Sequence, residues 1–335
     1  MTNRLELNWK LDGFVDEQRY YCSEAPINPI SLPNPKVVLP GDVRSYVDTN
    51  IDEGLTYYIR VGSVKNNIEK LSEQVVLTAS QWSPAQIAIT PKIFLDDTSM
   101  TEGAWNSKTD SNYNFGAVSG VSAPSINNGV LNNLPILRFS GSHGFGSVAS
   151  LTGQFAKGKK HAYFFIVTKL NNNSNSYKRI FCVPGTSLNN AYSKLSLFNG
   201  NVSGLQYWSQ VSDNVNPERS QNFFTSTDFE MLLLYVNHEL GNIEFYRNGL
   251  SISQTSVPTE LTLPNVSTTN PISLGYYLNK NGSKGQFTHA DIACVVANDE
   301  SITQQEIDKI FGWAAHKYGL TNNLPMDHPY KSIAP

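Results

Sequence analysis

Short apolar runs separated by Asn, Gly, Ser and Pro turns recur along the chain, and only one segment has the period of a helix. Such runs, four to eight residues long and bounded by turn residues, are typical of antiparallel β-strands. Charged residues make up 16% of the sequence, below the ~25% usual in soluble domains, and Asn, Ser and Thr fill the polar positions. The sequence therefore predicts an all-β protein.

The length of 335 residues exceeds the ~100–150 residues of a typical domain, so we expect two domains. The strand pattern pauses between residues 80 and 91, where Pro84 and Pro91 bracket a short segment. We predict a small β-sandwich over residues 1–79, a linker over 80–91, and a larger β-sandwich over 92–335.

The first module carries a recognisable pattern. Trp9 follows an alternating Leu5 and Leu7, and Tyr57 opens the strongest strand after Gly54. This resembles the fibronectin type III pattern, in which the tyrosine at the Tyr57 position forms a tyrosine corner by bonding back to the chain. The resemblance implies that Trp9 and Tyr57 pack in a core, and that the module acts as a spacer or docking unit.

The second domain shows two strands without alternation, 161–167 and 229–236, which we interpret as central strands buried on both faces. Asn248-Gly249 lies between two alternating runs, and both residues suit the positive φ angles of a type I′ hairpin turn.

One helix is predicted near the end, over residues 303–319. Thr303 and Glu306 have the spacing of a capping box, and Gly319 suits a left-handed helix end. The apolar residues that follow the cap recur at helical spacing and predict one buried stripe, formed by Ile307, Ile310, Phe311, Ala314 and Tyr318.

The C-terminal segments 310–320 and 324–331 resemble the ending of LamG-like, concanavalin A-like domains that are common in phage tail and appendage proteins. Segments 137–141 and 285–296 agree with that family. The resemblance implies a jelly-roll sandwich in a phage virion, with the protein made in the bacterial cytoplasm. It also implies a homo-oligomer, with a trimer as one form.

Several classes of partner and site are disfavoured. A net charge of −3 gives no basic surface for nucleic acid, and the longest apolar run, 231–236, is far short of the ~20 residues of a membrane span. The single cysteines Cys22, Cys182 and Cys294 show no disulfide pattern, and we expect them to be reduced core residues.

The sequence contains no motif of the common catalytic templates. The acidic pairs Asp96-Asp97 and Asp299-Glu300 look like loop or helix-entry residues, and Glu230 like a solvated strand end. We therefore expect no enzyme, no metal and no cofactor. A calcium site is left open at 110–114. His316 and His328 are expected to be packed or hydrogen-bonded.

Exposed aromatic side chains beside amide groups are what a sugar-binding surface needs. Two segments have that mix, and in a regular strand one of two adjacent aromatic residues faces outward. The candidate ligand-binding residues are Tyr207, Trp208, Gln210, Tyr276, Tyr277 and Asn279.

Three functions remain open on the sequence. The leading hypothesis is a non-enzymatic phage protein of a tail fibre, baseplate or tail tip, whose partners are other virion proteins and a host-surface polysaccharide. The second is a structural virion or capsid-decoration protein that binds no glycan. The third is a polysaccharide-degrading enzyme, because the same fold hosts glycoside hydrolases.

Overall fold

The structure, a computed structural model, describes residues 3–52, 55–79, 82–148, 155–171, 178–184, 193–199, 205–209, 228–256, 259, 270–278 and 283–335. For residues 3, 4, 193–199, 205–209 and 255 the description covers the backbone alone. These residues form β-strands, short 3-10 turns and one C-terminal α-helix, so the predicted all-β fold class is confirmed. In the described part of the chain, no helix is long and apolar enough to span a membrane.

The chain divides into two compact units, residues 1–82 with 333–335 and residues 83–332. The strands of the first unit are β1 (Asn3–Asn8), β2 (Glu17–Ser23), β3 (Val37–Pro40), β4 (Ser45–Ile51), β5 (Thr56–Lys65), β6 (Ile68–Leu71) and β7 (Val75–Thr78). β1 pairs with β4, and the other strands form a sheet in the order β3-β2-β5, with β6 and β7 both paired along β5. The core between the two sheets contains Leu5, Tyr20, Ile51, Tyr57, Ile59 and Ala79.

Tyr57 behaves as the resemblance implied. Its side chain is buried, and its hydroxyl accepts a hydrogen bond from the backbone N–H of Asp52 at 2.9 Å. Trp9 and Cys22 are less buried than the sequence predicts. Trp9 lies just beyond the end of β1 and is half-buried. Cys22 is also half-buried and not a core residue, whereas Cys182 and Cys294 are buried thiols as expected.

The second unit contains many short strands. They are β8 (Ile93–Leu95), β9 (Met100–Thr101), β10 (Ala104–Trp105), β11 (Phe115–Gly116), β12 (Ser125–Leu131), β13 (Leu134–Ser140), β14 (Phe145–Gly146), β15 (His161–Leu170), β16 (Lys178–Pro184), β17 (Ser193–Asn199), β18 (Leu205–Ser209), β19 (Glu230–Asn237), β20 (Asn242–Arg247), β21 (Leu250–Ser256), β22 (Ser273–Leu274), β23 (Tyr277–Leu278), β24 (Lys284–Gly285) and β25 (His289–Asn298).

Among the described residues these strands form two large sheets. Sheet A has the order β18-β17-β16-β22-β14-β11-β10-β9. Sheet B has the order β12-β13-β25-β15-β19-β20-β21, and β8 also pairs with β25. Side chains from both sheets form one apolar cluster, which is the arrangement of a β-sandwich. The predicted central strands are confirmed, because β15 lies between β25 and β19 and both β15 and β19 are almost wholly buried.

The helix α1 (Gln304–Lys317) begins as the sequence predicts. The Thr303 hydroxyl accepts from the Glu306 N–H at 3.3 Å, and the Glu306 carboxylate accepts from the Thr303 N–H at 2.9 Å. Phe311 contacts Phe165 of β15 edge-to-face, with ring centroids 5.2 Å apart. The helix therefore covers the face of sheet B that points away from the shared cluster.

The residues after α1 pack on the helix. Tyr330 lies against Gly312, where an added Cβ would sit 2.4 Å from the Tyr330 Cβ, so glycine is required there. His316 Nε2 is 2.9 Å from the Tyr330 carbonyl oxygen, and His328 Nδ1 accepts from the Tyr330 N–H at 3.2 Å. Both histidines are thus hydrogen-bonded, as expected, and burial lowers the pKa of His328.

The turn between β20 and β21 also follows the sequence. Asn248 has a φ of 52° and Gly249 a φ of 84°. Both residues take the left-handed conformation that a two-residue type I′ hairpin requires, so the predicted hairpin is confirmed.

Candidate functional site

The structure places the predicted aromatic residues at separate positions. Tyr207 and Trp208 lie on β18, an edge strand of sheet A, where only the backbone is described. Gln210 and Asn279 lie outside the described residues. A binding role for these four residues stays a prediction.

Of the second aromatic pair, Tyr276 takes the inward position. Its side chain is 0% exposed, and its ring stacks on Phe287 with centroids 5.8 Å apart. Tyr277 is half-buried, and the Arg179 guanidinium carbon lies 5.5 Å from the centre of its ring. Tyr277 is therefore the member of the pair that a ligand could reach, whereas Tyr276 is a core residue in this conformation.

The buried carboxylates of the described residues are all ion-paired. Each lies within 3.0 Å of a Lys or Arg nitrogen, and the pairs are Asp48 with Lys36, Asp96 with Lys108 and Lys317, Glu230 with Arg247, Asp291 with Arg138, and Asp299 with Lys92. The expectation of a solvated strand end is wrong for Glu230, which is buried. Asp96 and Asp299 lie in connections after β8 and β25, as expected, and tertiary contacts bury both of them. Burial raises the pKa of Glu230 despite its contact with Arg247.

The segment considered for calcium forms a local turn. The Asp110 carboxylate accepts from the Asn112 N–H at 2.9 Å, and the Asn114 side-chain oxygen accepts from the Ser107 N–H at 2.8 Å. The first bond caps the 3-10 turn Ser111–Tyr113, and the second ties the residue after that turn to the preceding loop. Within the described residues, no group of three or more His, Cys, Asp or Glu side chains is arranged to hold a metal ion.

A groove of about 640 Å³ lies beside β9 and β12. These are edge strands: β9 ends sheet A, and β12 ends sheet B. The groove therefore opens along one side of the sandwich, at the edge of sheet A opposite to β18. Its lining residues are Asp97, Met100, Glu102, Gly103, Ala123, Pro124, Ser125, Ile126, Asn128 and Pro135.

Asp96 fixes the backbone on one side of this groove. Its Oδ1 accepts hydrogen bonds from the Thr98 N–H at 3.0 Å and the Thr98 hydroxyl at 2.7 Å. Its carbonyl accepts from Nε1 of the fully buried Trp105 at 2.8 Å. The 3-10 turn Asp97–Ser99, which carries Asp97 into the groove wall, is thereby held from both sides.

The end of α1 anchors both aspartates. Lys317 Nζ lies 2.9 Å from Asp96 Oδ2 and 2.7 Å from Asp97 Oδ1, and the Tyr318 hydroxyl is 3.3 Å from the same Asp97 oxygen. Burial is the largest single influence on Asp96 and would raise its pKa. The charge of Lys317, together with the hydrogen bonds from Lys317, Thr98 and Lys108, outweighs burial, and the pKa lies below its ordinary value. Burial likewise opposes the charge of Lys317, yet the two aspartates raise its pKa.

The groove combines hydrogen-bonding groups with apolar surface. Carboxylate and amide oxygens of Asp97, Glu102 and Asn128 can accept from ligand hydroxyl or amine groups, and Met100 and Ile126 supply apolar contacts. A site of this size and mixture is typical of small-molecule binding. Sequence analysis missed it, because its walls come from residues 97–103 and 123–135 and are anchored from residue 317.

No protein-family model matches this sequence. No curated protein matches it either.

Several solved structures resemble this fold. One is the binding domain of botulinum neurotoxin serotype D, which is 12% identical and has a TM-score of 0.47. The alignment covers 68% of this chain and 52% of that chain. The sialidase of Trypanosoma rangeli has 12% identity and a TM-score of 0.46 over 76% of this chain and 42% of that chain. The CBM40 of a Ruminococcus gnavus sialidase, bound to α2,3-sialyllactose, has 13% identity and a TM-score of 0.40 over 51% of this chain and 93% of that chain. The chain thus spans about half the length of the first two proteins.

Proposed function

We propose that this chain is a non-catalytic glycan-binding protein, and that the groove beside β9 and β12 holds the sugar. The observation that carries the proposal is the groove itself, about 640 Å³ in volume and lined by oxygen acceptors and apolar side chains. Sugars offer many hydroxyl donors together with apolar ring faces, and such a lining matches both.

The state of the buried carboxylates supports binding rather than hydrolysis. Glycoside hydrolysis in most families uses two carboxyl groups, one of which donates a proton to the leaving oxygen. In the described residues each buried carboxylate instead accepts from a Lys or Arg side chain. In the groove itself, Asp97 is paired with Lys317. Of the described residues that line the groove, Glu102 is then the one carboxylate without a cationic partner, whereas the usual hydrolytic mechanism needs two acting groups.

The biological setting of the proposal is a phage virion, where the chain would contact a host-surface polysaccharide and neighbouring virion proteins, as a homo-oligomer. Its support is the resemblance of segments 310–320 and 324–331 to the ending of phage LamG-like domains. The first unit, with its fibronectin III-like pattern and the Tyr57 hydroxyl bond, would serve there as a spacer or docking module.

The test is binding of the purified full chain to a broad glycan array, followed by titration of the best ligand. We expect Asn128→Ala to weaken binding about tenfold, which corresponds to about 1.4 kcal/mol and is the scale of a lost hydrogen bond plus its unpaired partner. Asn128 is exposed, so the melting temperature should not change.

Trp208→Ala is the matched comparison, because β18 and β9 lie at opposite edges of sheet A. If only the Trp208 variant binds more weakly, the sugar binds at the aromatic surface predicted from the sequence and not in the groove. The absence of binding to any glycan by the wild type would contradict the proposal and favour a structural virion protein.

A further inference from the structure

The charges around the groove are unbalanced. Of its lining residues, Asp97 and Glu102 are the charged ones, and both are acidic. The charges of Asp96 and Asp97 are matched by Lys108 and Lys317, which contact them at 2.7–2.9 Å. Within the described residues, Glu102 has no such partner. The groove therefore carries one uncompensated negative charge at its rim.

Asp97 also presents a fixed acceptor. Its side chain is only 7% exposed, and both described contacts, from Lys317 and the Tyr318 hydroxyl, reach the same oxygen, Oδ1. In the described structure the other oxygen, Oδ2, accepts no hydrogen bond from the protein. Asp97 lines the groove, so Oδ2 is the oxygen of this carboxylate that is left for a ligand donor.

An ammonium group is the donor that fits these two acceptors. It offers three N–H donors and no acceptor, whereas ionised carboxylates only accept. Hydrogen bonds between charged partners contribute more than neutral ones, about 1.5–3 kcal/mol. A carboxylated or sulfated sugar would instead place like charges together in a partly enclosed space, where repulsion is stronger than in bulk water.

We infer that the groove selects a cationic amino sugar, with its ammonium group between Asp97 Oδ2 and Glu102, over neutral and anionic sugars. The inference rests on the proposed glycan-binding function and specifies its substrate class. Met100 and Ile126 then contact the apolar ring face, and Ser125 and Asn128 bind hydroxyl groups along the sugar.

Three trisaccharides of equal length test the inference by isothermal titration of the full chain at about pH 6, where an amine is protonated. They are a glucosamine trimer, the N-acetylglucosamine trimer, which has the same skeleton without the charge, and a galacturonate trimer. We expect the glucosamine trimer to bind about tenfold more tightly than the acetylated one, the free energy of one charge-assisted hydrogen bond. The galacturonate trimer should bind most weakly.

Glu102→Gln keeps the shape of the side chain and removes its charge. The preference for the glucosamine trimer over the acetylated trimer should then fall to about threefold or less, because one partner of the charged pair is lost. Glu73→Gln is the matched control: Glu73 is an exposed carboxylate of the first unit, and its removal should leave the preference unchanged. Added salt should reduce the preference in the wild type, since exposed charge pairs are screened.

The outcomes separate the inference from the proposed function. Equal or tighter binding of the acetylated or anionic trimer, weakened by Asn128→Ala, would overturn the amino-sugar inference and leave glycan binding in the groove intact. A preference for glucosamine that survives Glu102→Gln would overturn the role of Glu102 and with it the inference. No binding of any glycan would overturn both.

Discussion

Sheet B of the second unit is covered on both faces, whereas the larger sheet of the first unit is faced by two strands. In sheet B, Phe164 points to the cluster shared with sheet A, and Phe165 points to Phe311 of α1. In the first unit, Val75 and Leu77 pair with the core residues Ile59 and Tyr57. Paired residues share a face of the sheet, yet Val75 is 57% and Leu77 40% exposed.

The difference arises from the opposing layer. Tyr20 of β2 donates to Asp48 of β4 at 2.9 Å, and Lys36 contacts the same carboxylate at 2.6 Å. β4 is therefore held against β2 and the start of β3, and Leu5 of β1 packs over the Tyr57 region of β5. Within the described residues the side chains of Val75, Val76 and Leu77 on β7 stay exposed, so the layer formed by β1 and β4 leaves this apolar strand uncovered.

The strongest destabilisation should follow from removing a contact between sheet B and α1. Phe311→Ala should lower the free energy of unfolding of the second unit by about 3–5 kcal/mol, because a fully buried ring is replaced by a cavity. Urea unfolding, with hydrogen exchange to assign the change to a unit, measures it. Gln305→Ala, an exposed change on the same helix, is the control, and equal effects of the two variants would contradict the role of α1 as a packed layer.

The next prediction concerns how α1 is attached. Lys317→Met should destabilise the second unit by about 2–4 kcal/mol, because it leaves two buried carboxylates with Lys108 as the remaining cation. The pKa of Asp96 is lowered in the folded state. The stability that the ionised Asp96 contributes is therefore present above the unfolded pKa of about 3.9 and is lost as pH falls. In urea titrations, the difference in the free energy of unfolding between wild type and variant should shrink from pH 7 to pH 3. A difference independent of pH would argue against the ion pair as its cause.

A smaller effect is expected in the first unit. Tyr57→Phe removes the hydroxyl that accepts from the Asp52 N–H and should destabilise that unit by about 1 kcal/mol, the net value of one hydrogen bond. Thermal unfolding followed by hydrogen exchange in residues 55–65 reports it. Tyr58→Phe, on the adjacent half-buried side chain, provides the matched control, and no difference between the two variants would show that the bond adds no stability.

The smallest effect is expected on the exposed strand β7. Val75→Thr should change the stability of the first unit by less than about 0.5 kcal/mol, because the side chain is exposed and threonine keeps the β-branched shape. Ile59→Thr, its paired neighbour in the core, should be strongly destabilising. A similar loss in both variants, measured by urea unfolding, would mean that β7 is covered in solution.

Much of the fold could be predicted from local patterns. The capping box at Thr303 and the Asn248-Gly249 turn involve residues a few positions apart, so their geometry depends on short-range sterics and hydrogen bonds. The unbroken apolar runs of β15 and β19 indicated burial on both faces. The sequence did not indicate which element covers each face, and it did not indicate the packing of Tyr330 on α1.

The candidate site was the least predictable part. Alternation required one outward residue in the Tyr276-Tyr277 pair, and the structure identifies Tyr277. Asp97 looked like an ordinary loop residue, because neither Lys317 nor the wall formed by 123–135 is near it in sequence. The aromatic prediction at Tyr207 and Trp208 is independent of the groove and is tested by its own variant.

The class of secondary structure, the position and cap of α1 and the tight β20–β21 turn can be predicted from neighbouring residues, because backbone preferences and side-chain periodicity act over short distances. Which carboxylates are buried, which apolar strand stays exposed and where a groove opens depend on the assembled fold. Burial and charge pairing depend on layers that meet from distant parts of the chain, and a pattern of neighbouring residues does not contain that information.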